Sequence, residues 1–365
     1  MNNNIYERLA KKLDTLPNGF PATSNGAEIR LLEKIFTPEE ARLAVELRLN
    51  IETPEEIAAR LKAQGGSEFD PVDLKKQLKR MAKKGLIKVD MINKGLGYGI
   101  LPFVVGIYEF QIGRMDAEMA HLFEDYYQQA FGTILKVQPT FHRVVPIEEN
   151  IKNDMAIQPF ESASQIVDKA QAWGVLDCIC RLQKKLIGDP CEHPLDVCMV
   201  LGNRPGMFDH SEVIKAQSRE EAHHTLHRAA EAGLVHTVSN SQEDIAYICN
   251  CCTCSCGILR GMSEMGIADV IARSPFVNQV NQDLCIGCED CVEACQFGAL
   301  TLVDDLMTVN EMRCVGCGVC VMFCLEGALS MIRRSEDEIL PVPIDERAWS
   351  IQRAKTRGVD IEQML

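Results

Sequence analysis

The 365-residue chain is 46% hydrophobic and 25% charged, ordinary globular proportions that exclude a disordered chain, a collagen and a coiled coil. Its 38 basic and 52 acidic residues leave a charge of −14, which argues against nonspecific nucleic-acid or anionic-membrane binding by the molecule as a whole. Seventeen cysteines are the outlier: MNNNIYERLAKKLD lacks the apolar core of an export signal, so a cytoplasmic location is expected, and in a reducing cytosol so many thiols read as metal ligands.

In chain order, Thr53-Pro54-Glu55-Glu56 opens a helix with a capping residue, proline at the first position and acids in the first turn. Gly65-Gly66 breaks it, and Asp70-Pro71 opens a second helix with Leu74, Leu78 and Met81 at helical spacing. Lys75, Lys76, Lys79, Arg80, Lys83 and Lys84 lie on its other side; Gly85 ends it, Leu86 to Asp90 reads as a strand, and the glycine-rich run 95–99 as a hairpin turn. Helix, turn, basic helix and wing resemble a winged helix-turn-helix. That resemblance implies DNA phosphate contacts or a docking or dimerisation module. Residues 1–100 carry seventeen basic and fourteen acidic side chains, a weak footprint for a dedicated DNA reader, so DNA is the less favoured partner. Farther on, Phe103, Tyr108, Phe110, Phe123, Tyr126 and Tyr127 are expected to pack the core. The longest apolar stretch, Ile100 to Ile107, is interrupted by Pro102 and Gly106 and falls far short of the roughly 18 residues of a membrane span. A similar but unbasic helix-then-strand pattern recurs from Ser218 to Val238, read as a second winged-helix-like element. There His223 and His227 are expected as a surface pair near Glu220 and Glu231.

Nine cysteines occupy the middle of the chain in two groups: Cys178, Cys180, Cys191 and Cys198, then Cys249, Cys251, Cys252, Cys254 and Cys256. If the second group is extended, Cys252, Cys254 and Cys256 share one face about 6.6 Å apart per pair, and Cys249 and Cys251 share the other. One short strand cannot close a tetrahedral set, so this group must recruit thiolates from Cys178 to Cys198. Nine thiols suffice for two 4Fe-4S clusters with one spare, for one cluster plus zinc, or for one cluster and several free thiols.

The strongest signal follows. Cys285-x-x-Cys288-x-x-Cys291-x-x-x-Cys295 recurs 29 residues later as Cys314-x-x-Cys317-x-x-Cys320-x-x-x-Cys324, with Gly287 matching Gly316, Gly298 matching Gly327, and Ala299-Leu300 matching Ala328-Leu329. This internal duplication resembles the bacterial two-cluster 4Fe-4S ferredoxin module over about residues 281–333. The resemblance implies one cluster on Cys285, Cys288, Cys291 and Cys324 and another on Cys314, Cys317, Cys320 and Cys295, each loop lending its fourth cysteine to its partner. It also expects proline after each fourth cysteine, where this chain has Gln296 and Leu325. The words DCICR, GDPCEHPLDVC and YICNCCTCSCGILRG resemble segments of multidomain dicluster ferredoxin-type proteins of anaerobic bacteria that begin with a helix-turn-helix.

The expected architecture is α+β: a winged-helix and helical region over 1–160, a cysteine-rich α/β metal-binding domain over 161–276, a two-cluster ferredoxin-like domain over 277–335, and a tail with a short helix over 336–365. No phosphate loop, dinucleotide fingerprint or nucleophile elbow is present, and no catalytic acid, base or nucleophile can be named. The expected role is an iron-sulfur electron carrier, or the electron-transfer subunit of an oxidoreductase, acting on a redox partner protein; a homo-oligomer is compatible. Its rivals are a redox-sensing DNA-binding regulator and an oxidoreductase with a catalytic central cluster.

Overall fold

The computed structural model describes residues 4–65, 70–92, 95–147, 151 and 157–361. The chain divides into two compact units, 1–138 with 350–365, and 139–349. No described helix is long and apolar enough to cross a membrane.

The first unit is mainly helical. Its helices start where the chemistry of their first turns demands. Thr53 Oγ1 accepts from Glu56 N at 3.2 Å while Glu56 Oε2 accepts from Thr53 N at 3.0 Å, a reciprocal cap for the helix Pro54–Ala63. Asp70 Oδ1 accepts from Val72 N and Asp73 N at the head of Pro71–Lys83. Strands β1 (Ile87–Ile92) and β2 (Gly95–Ile100) then form an antiparallel pair. The glycine run expected as a turn is therefore strand β2 itself. A Cβ on Gly97 would stand 2.3 Å from Ile51 Cγ2, and one on Gly99 3.0 Å from the Arg48 carbonyl, because the segment 48–52 crosses β2 closely and pairs with it through Glu52 and Tyr98. Glycine serves close approach here.

Phe20, Phe103, Tyr108, Phe123, Tyr126, Tyr127 and Phe131 form the aromatic core, with Tyr108 stacked on Phe123 at 3.8 Å between ring centroids. Each such pair adds about 1 kcal/mol beyond its burial. Phe110 is the exception, 54% exposed, with its Cβ filling the space that a side chain at Gly85 would need. The last helix, Glu346–Arg357, ends in this unit: the buried Arg353 guanidinium donates to the carbonyls of Pro17, Val137 and Ile134.

The second unit is built on a six-stranded sheet. Its strands are β3 (His142–Val144), β4 (Ala172–Leu176), β5 (Cys198–Gly202), β6 (Lys215–Gln217), β7 (Val235–Ser239) and β8 (Tyr247–Cys251), in the order β3-β7-β8-β5-β4-β6. Every neighbouring pair is antiparallel, so the central region of helices and strands is built on an antiparallel sheet. The helix Ile179–Leu186 lies between β4 and β5, yet the cysteine-bearing loop after it reverses the chain instead of carrying it over to a parallel partner. The helix Arg219–Glu231, capped reciprocally by Ser218 and Glu221, packs Ala222, Leu226 and Ala230 on the sheet with Met199, Val238 and Ile248. Strand β7 is thus interior to the sheet, not a second wing. His223 faces Asp168 at 2.7 Å, a carboxylate distant in sequence.

Two smaller antiparallel pairs complete the unit, β9 (Phe276–Val280) with β12 (Leu329–Arg333) and β10 (Leu300–Val303) with β11 (Leu306–Val309). Arg333 on β12 makes a bidentate ion pair with the buried Glu161 at 2.8 and 2.9 Å, fixing this pair against the segment between β3 and β4.

Candidate metal centres

The duplicated loops fold alike at the positions the duplication shares. Gly287 and Gly316 adopt φ of +68° and +74°, and Gly298 and Gly327 +57° and +63°. At Gly316 a Cβ would stand 2.1 Å from Ser274 Oγ and 2.2 Å from the Phe276 carbonyl, so glycine is required by space as well as by φ. Each loop then enters a short helix, Asp290–Ala294 or Val319–Met322, through a left-handed residue that is Glu289 in one copy and Gly318 in the other. After each fourth cysteine the chain turns back so that Ala299 N donates to Cys295 Sγ at 3.3 Å and Ala328 N to Cys324 Sγ at 3.2 Å.

Cys285, Cys288, Cys291 and Cys324 line one pocket, together with Ile286, Glu289, Met307, Phe323 and Glu326. Cys295 joins Cys314, Cys317 and Cys320: its charge acts on both Cys317 and Cys320, as does that of Cys314. The two sets differ in surroundings. Cys288 of the first is exposed, whereas Cys314 and Cys320 of the second are buried. Burial pushes the Cys317 thiol up to about 12 and that of Cys291 up to about 11, so neither would ionise near neutral pH without a cation to bind. The second set also has a side-chain donor: Asn278 Nδ2 lies 3.1 Å from Cys320 Sγ. Four thiols around one cavity, with amide N–H groups on their sulfurs, fit a 4Fe-4S cluster.

The central cysteines separate in a way that strict alternation does not anticipate. The chain stays extended only to Cys251; from Cys252 it turns, with Cys256 N donating to the Cys252 carbonyl at 3.0 Å. The turn sends the five cysteines to two places. Cys249, Cys251 and Cys256 meet Cys178, Cys180 and Cys198 in one group of neighbouring thiols, of which Cys178, Cys251 and Cys256 are buried. Cys252 and Cys254 instead meet Cys191 and His193, a residue that the sequence analysis did not single out; their ligand atoms all lie within 4.8 Å of one another. The signal for His193 was its place two residues after Cys191.

Arg181 stands between the groups. It is 2% exposed, and Nη1 donates to the Asn250 carbonyl at 3.0 Å and reaches Cys252 Sγ at 3.7 Å. Burial opposes its charge, yet Cys178, Cys198 and Cys252 hold its pKa above the ordinary arginine value. Its Nε and Nη2 have no hydrogen-bond partner among the described residues. Two orphaned donors on a buried cation beside six thiols fit an anionic thiolate-bound cluster.

Gln296, standing where the ferredoxin pattern expects proline, links the two halves of this unit. Its Oε1 accepts from Thr253 N at 2.7 Å, between Cys252 and Cys254, and its Nε2 donates to the Gly233 carbonyl.

Comparison with known proteins agrees with the geometry at the C-terminus: the family described as the 4Fe-4S dicluster domain matches residues 284–328, a span holding all eight duplicated cysteines. No curated protein and no solved structure matches the chain. The C-terminal segment is an iron-sulfur module of the two-cluster ferredoxin type, which suggests iron-sulfur electron transfer.

Proposed function

We propose that the protein is an electron carrier, or the electron-transfer subunit of an oxidoreductase, in an anaerobe, and that its ferredoxin module has a surface port and an inward route. In the two four-cysteine sets, 4Fe-4S clusters supply one-electron chemistry. The observation that carries the reading is the asymmetry of the sets. One opens to the surface at the exposed Cys288 beside Glu289 and Glu326, while the other has no exposed cysteine, with Cys295 followed directly by the Gln296 bond to Thr253. Four of the six central thiols, Cys178, Cys180, Cys198, Cys249, Cys251 and Cys256, take a third 4Fe-4S cluster, whose charge Arg181 balances.

The port is acidic. Residues 281–335 hold eight acidic and three basic side chains, which favours a redox partner with a basic patch. Anaerobically purified protein is expected to hold about twelve irons and as much acid-labile sulfide per chain. Its reduction by a basic one-electron donor protein is expected to slow as salt is added. About eight irons would remove the third cluster, and a rate indifferent to salt would remove the acidic port.

A redox-sensing regulator is the second reading, favoured by one observation. The helix Pro71–Lys83 exposes Lys75, Lys79, Arg80 and Lys83 and is followed by the β1–β2 hairpin, the order of a winged helix. That reading predicts salt-sensitive duplex binding weakened by Lys79→Glu with Arg80→Glu, and absence of such binding leaves the carrier.

A further inference from the structure

We infer that Cys191, His193, Cys252 and Cys254 bind a single tetrahedral zinc ion, separate from every iron-sulfur cluster of the protein. The distances are those of one metal. Cys191 Sγ and Cys252 Sγ are 4.0 Å apart, Cys254 Sγ and His193 Nδ1 are 3.8 Å apart, and all four ligand atoms fall within 4.8 Å. Around zinc, with bonds of about 2.3 Å to sulfur and 2.0–2.1 Å to nitrogen, the edges of a tetrahedron come to about 3.5–3.8 Å. Thiolates on different irons of a cubane point outward from separate corners and stand much farther apart. Three thiolates and an imidazole, with no fifth ligand in the group among the described residues, form the closed four-ligand set typical of structural zinc.

Outer donors complete the site. Ser255, 2% exposed, points its hydroxyl at Cys191 Sγ at 3.3 Å and lies 3.9 Å from Cys254 Sγ; Arg181 reaches Cys252 Sγ. Both stabilise thiolate over thiol and fix the ligands' orientation. The ligands come from two loops, 191–193 and 252–254. The second loop also offers Thr253 N to Gln296, and it leads into Cys256 of the six-thiol group. Zinc would thus pin the loop from which the ferredoxin module and the central thiols are both held. It would carry no electron itself, so the inference does not depend on the electron-transfer reading.

The test is elemental analysis and zinc-edge X-ray absorption on the whole chain purified without oxygen. One zinc per chain is expected, with three sulfurs at about 2.3 Å and one nitrogen at about 2.0 Å. In Cys254→Ser the zinc falls several-fold while iron and sulfide per chain stay constant. His193→Cys, which keeps four ligands, retains zinc, and its absorption edge changes to a four-sulfur shell; this arm holds even if Cys254→Ser fails to fold. Any of three results would overturn the inference: no zinc in the wild-type protein, iron without matching sulfide in its place, or loss of about four irons on the Cys254→Ser change.

Discussion

Removing the Asn278 amide should lower the reduction potential of one cluster and leave the other alone. Asn278 lies on β9, is 4% exposed, and places Nδ2 3.1 Å from Cys320 Sγ. Only its NH2 group can face a thiolate, and its Oδ1 has no partner among the described residues, so this contact is the side chain's one described polar tie. A hydrogen bond to a charged group is worth about 1.5–3 kcal/mol. Reduction adds one negative charge spread over the whole cluster and its four thiolates, so about a third of that figure, roughly 0.5–1 kcal/mol, distinguishes the two oxidation states. At 59 mV per factor of ten for one electron, and 1.4 kcal/mol per factor of ten, the difference is about 20–40 mV. The donor favours the more negative, reduced state, so Asn278→Leu should lower the potential of the cluster at Cys295, Cys314, Cys317 and Cys320 by that amount. Asn278→Asp, which puts a carboxylate near the sulfur, should lower it further. An anaerobic redox titration followed by electron paramagnetic resonance reads both clusters. An upward shift, or an equal shift of both, would refute the reasoning.

Three further outcomes are expected. Gln296→Ala, and equally Gln296→Pro, which installs the residue expected from the ferredoxin pattern, should destabilise the unit by about 1–3 kcal/mol through the lost bonds to Thr253 and Gly233, read by anaerobic denaturant unfolding. Burial lowers the pKa of His142 to about 3 and that of His236 to about 4, the latter against the Asn250 bond, so both are neutral in the folded protein. The unfolded chain takes up these protons below about pH 6.5; the stabilisation is therefore complete above that pH and declines by about 2 kcal/mol per histidine on going to pH 5, a slope that His142→Gln with His236→Gln should flatten. Arg353→Met should cost about 2–4 kcal/mol, because three carbonyls lose their donor, while the iron content of the protein stays unchanged.

How much of this was legible from the sequence depended on how local each cause was. The ferredoxin module was readable because its signal is local: three cysteines on one loop and a fourth one short turn on, repeated with the glycines that the backbone needs. The starts of the helices at Pro54, Pro71 and Arg219 were readable for the same reason, since capping residue and first turn are neighbours. The β2 glycines were misread because their cause, the close passage of residues 48–52, lies outside the run itself. The partition of Cys249 to Cys256 depended on where an extended strand gives way to a turn, which is set where β8 leaves the sheet, and His193 acquired meaning only once two loops sixty residues apart were brought together.

Gln296 and Arg181 show why the central cysteines are better understood as part of the ferredoxin module's surroundings than as an appendage. Proline at 296 would offer no side-chain hydrogen bond; glutamine there reaches both Thr253 and Gly233, so the residue after a ferredoxin cysteine is committed to the loop that carries Cys252 and Cys254. Arg181 ties the two central groups together, reaching Cys252 while Cys178 and Cys198 of the six-thiol group also act on its charge. Nε and Nη2 of this buried guanidinium have no hydrogen-bond partner among the described residues, a cost that thiolates beside it would offset. Thiolates at that density require metal. The charge that makes Arg181 tolerable is therefore the same charge that a cluster and a zinc ion must organise, which predicts that Arg181→Met loses central metal while the eight ferredoxin cysteines keep theirs.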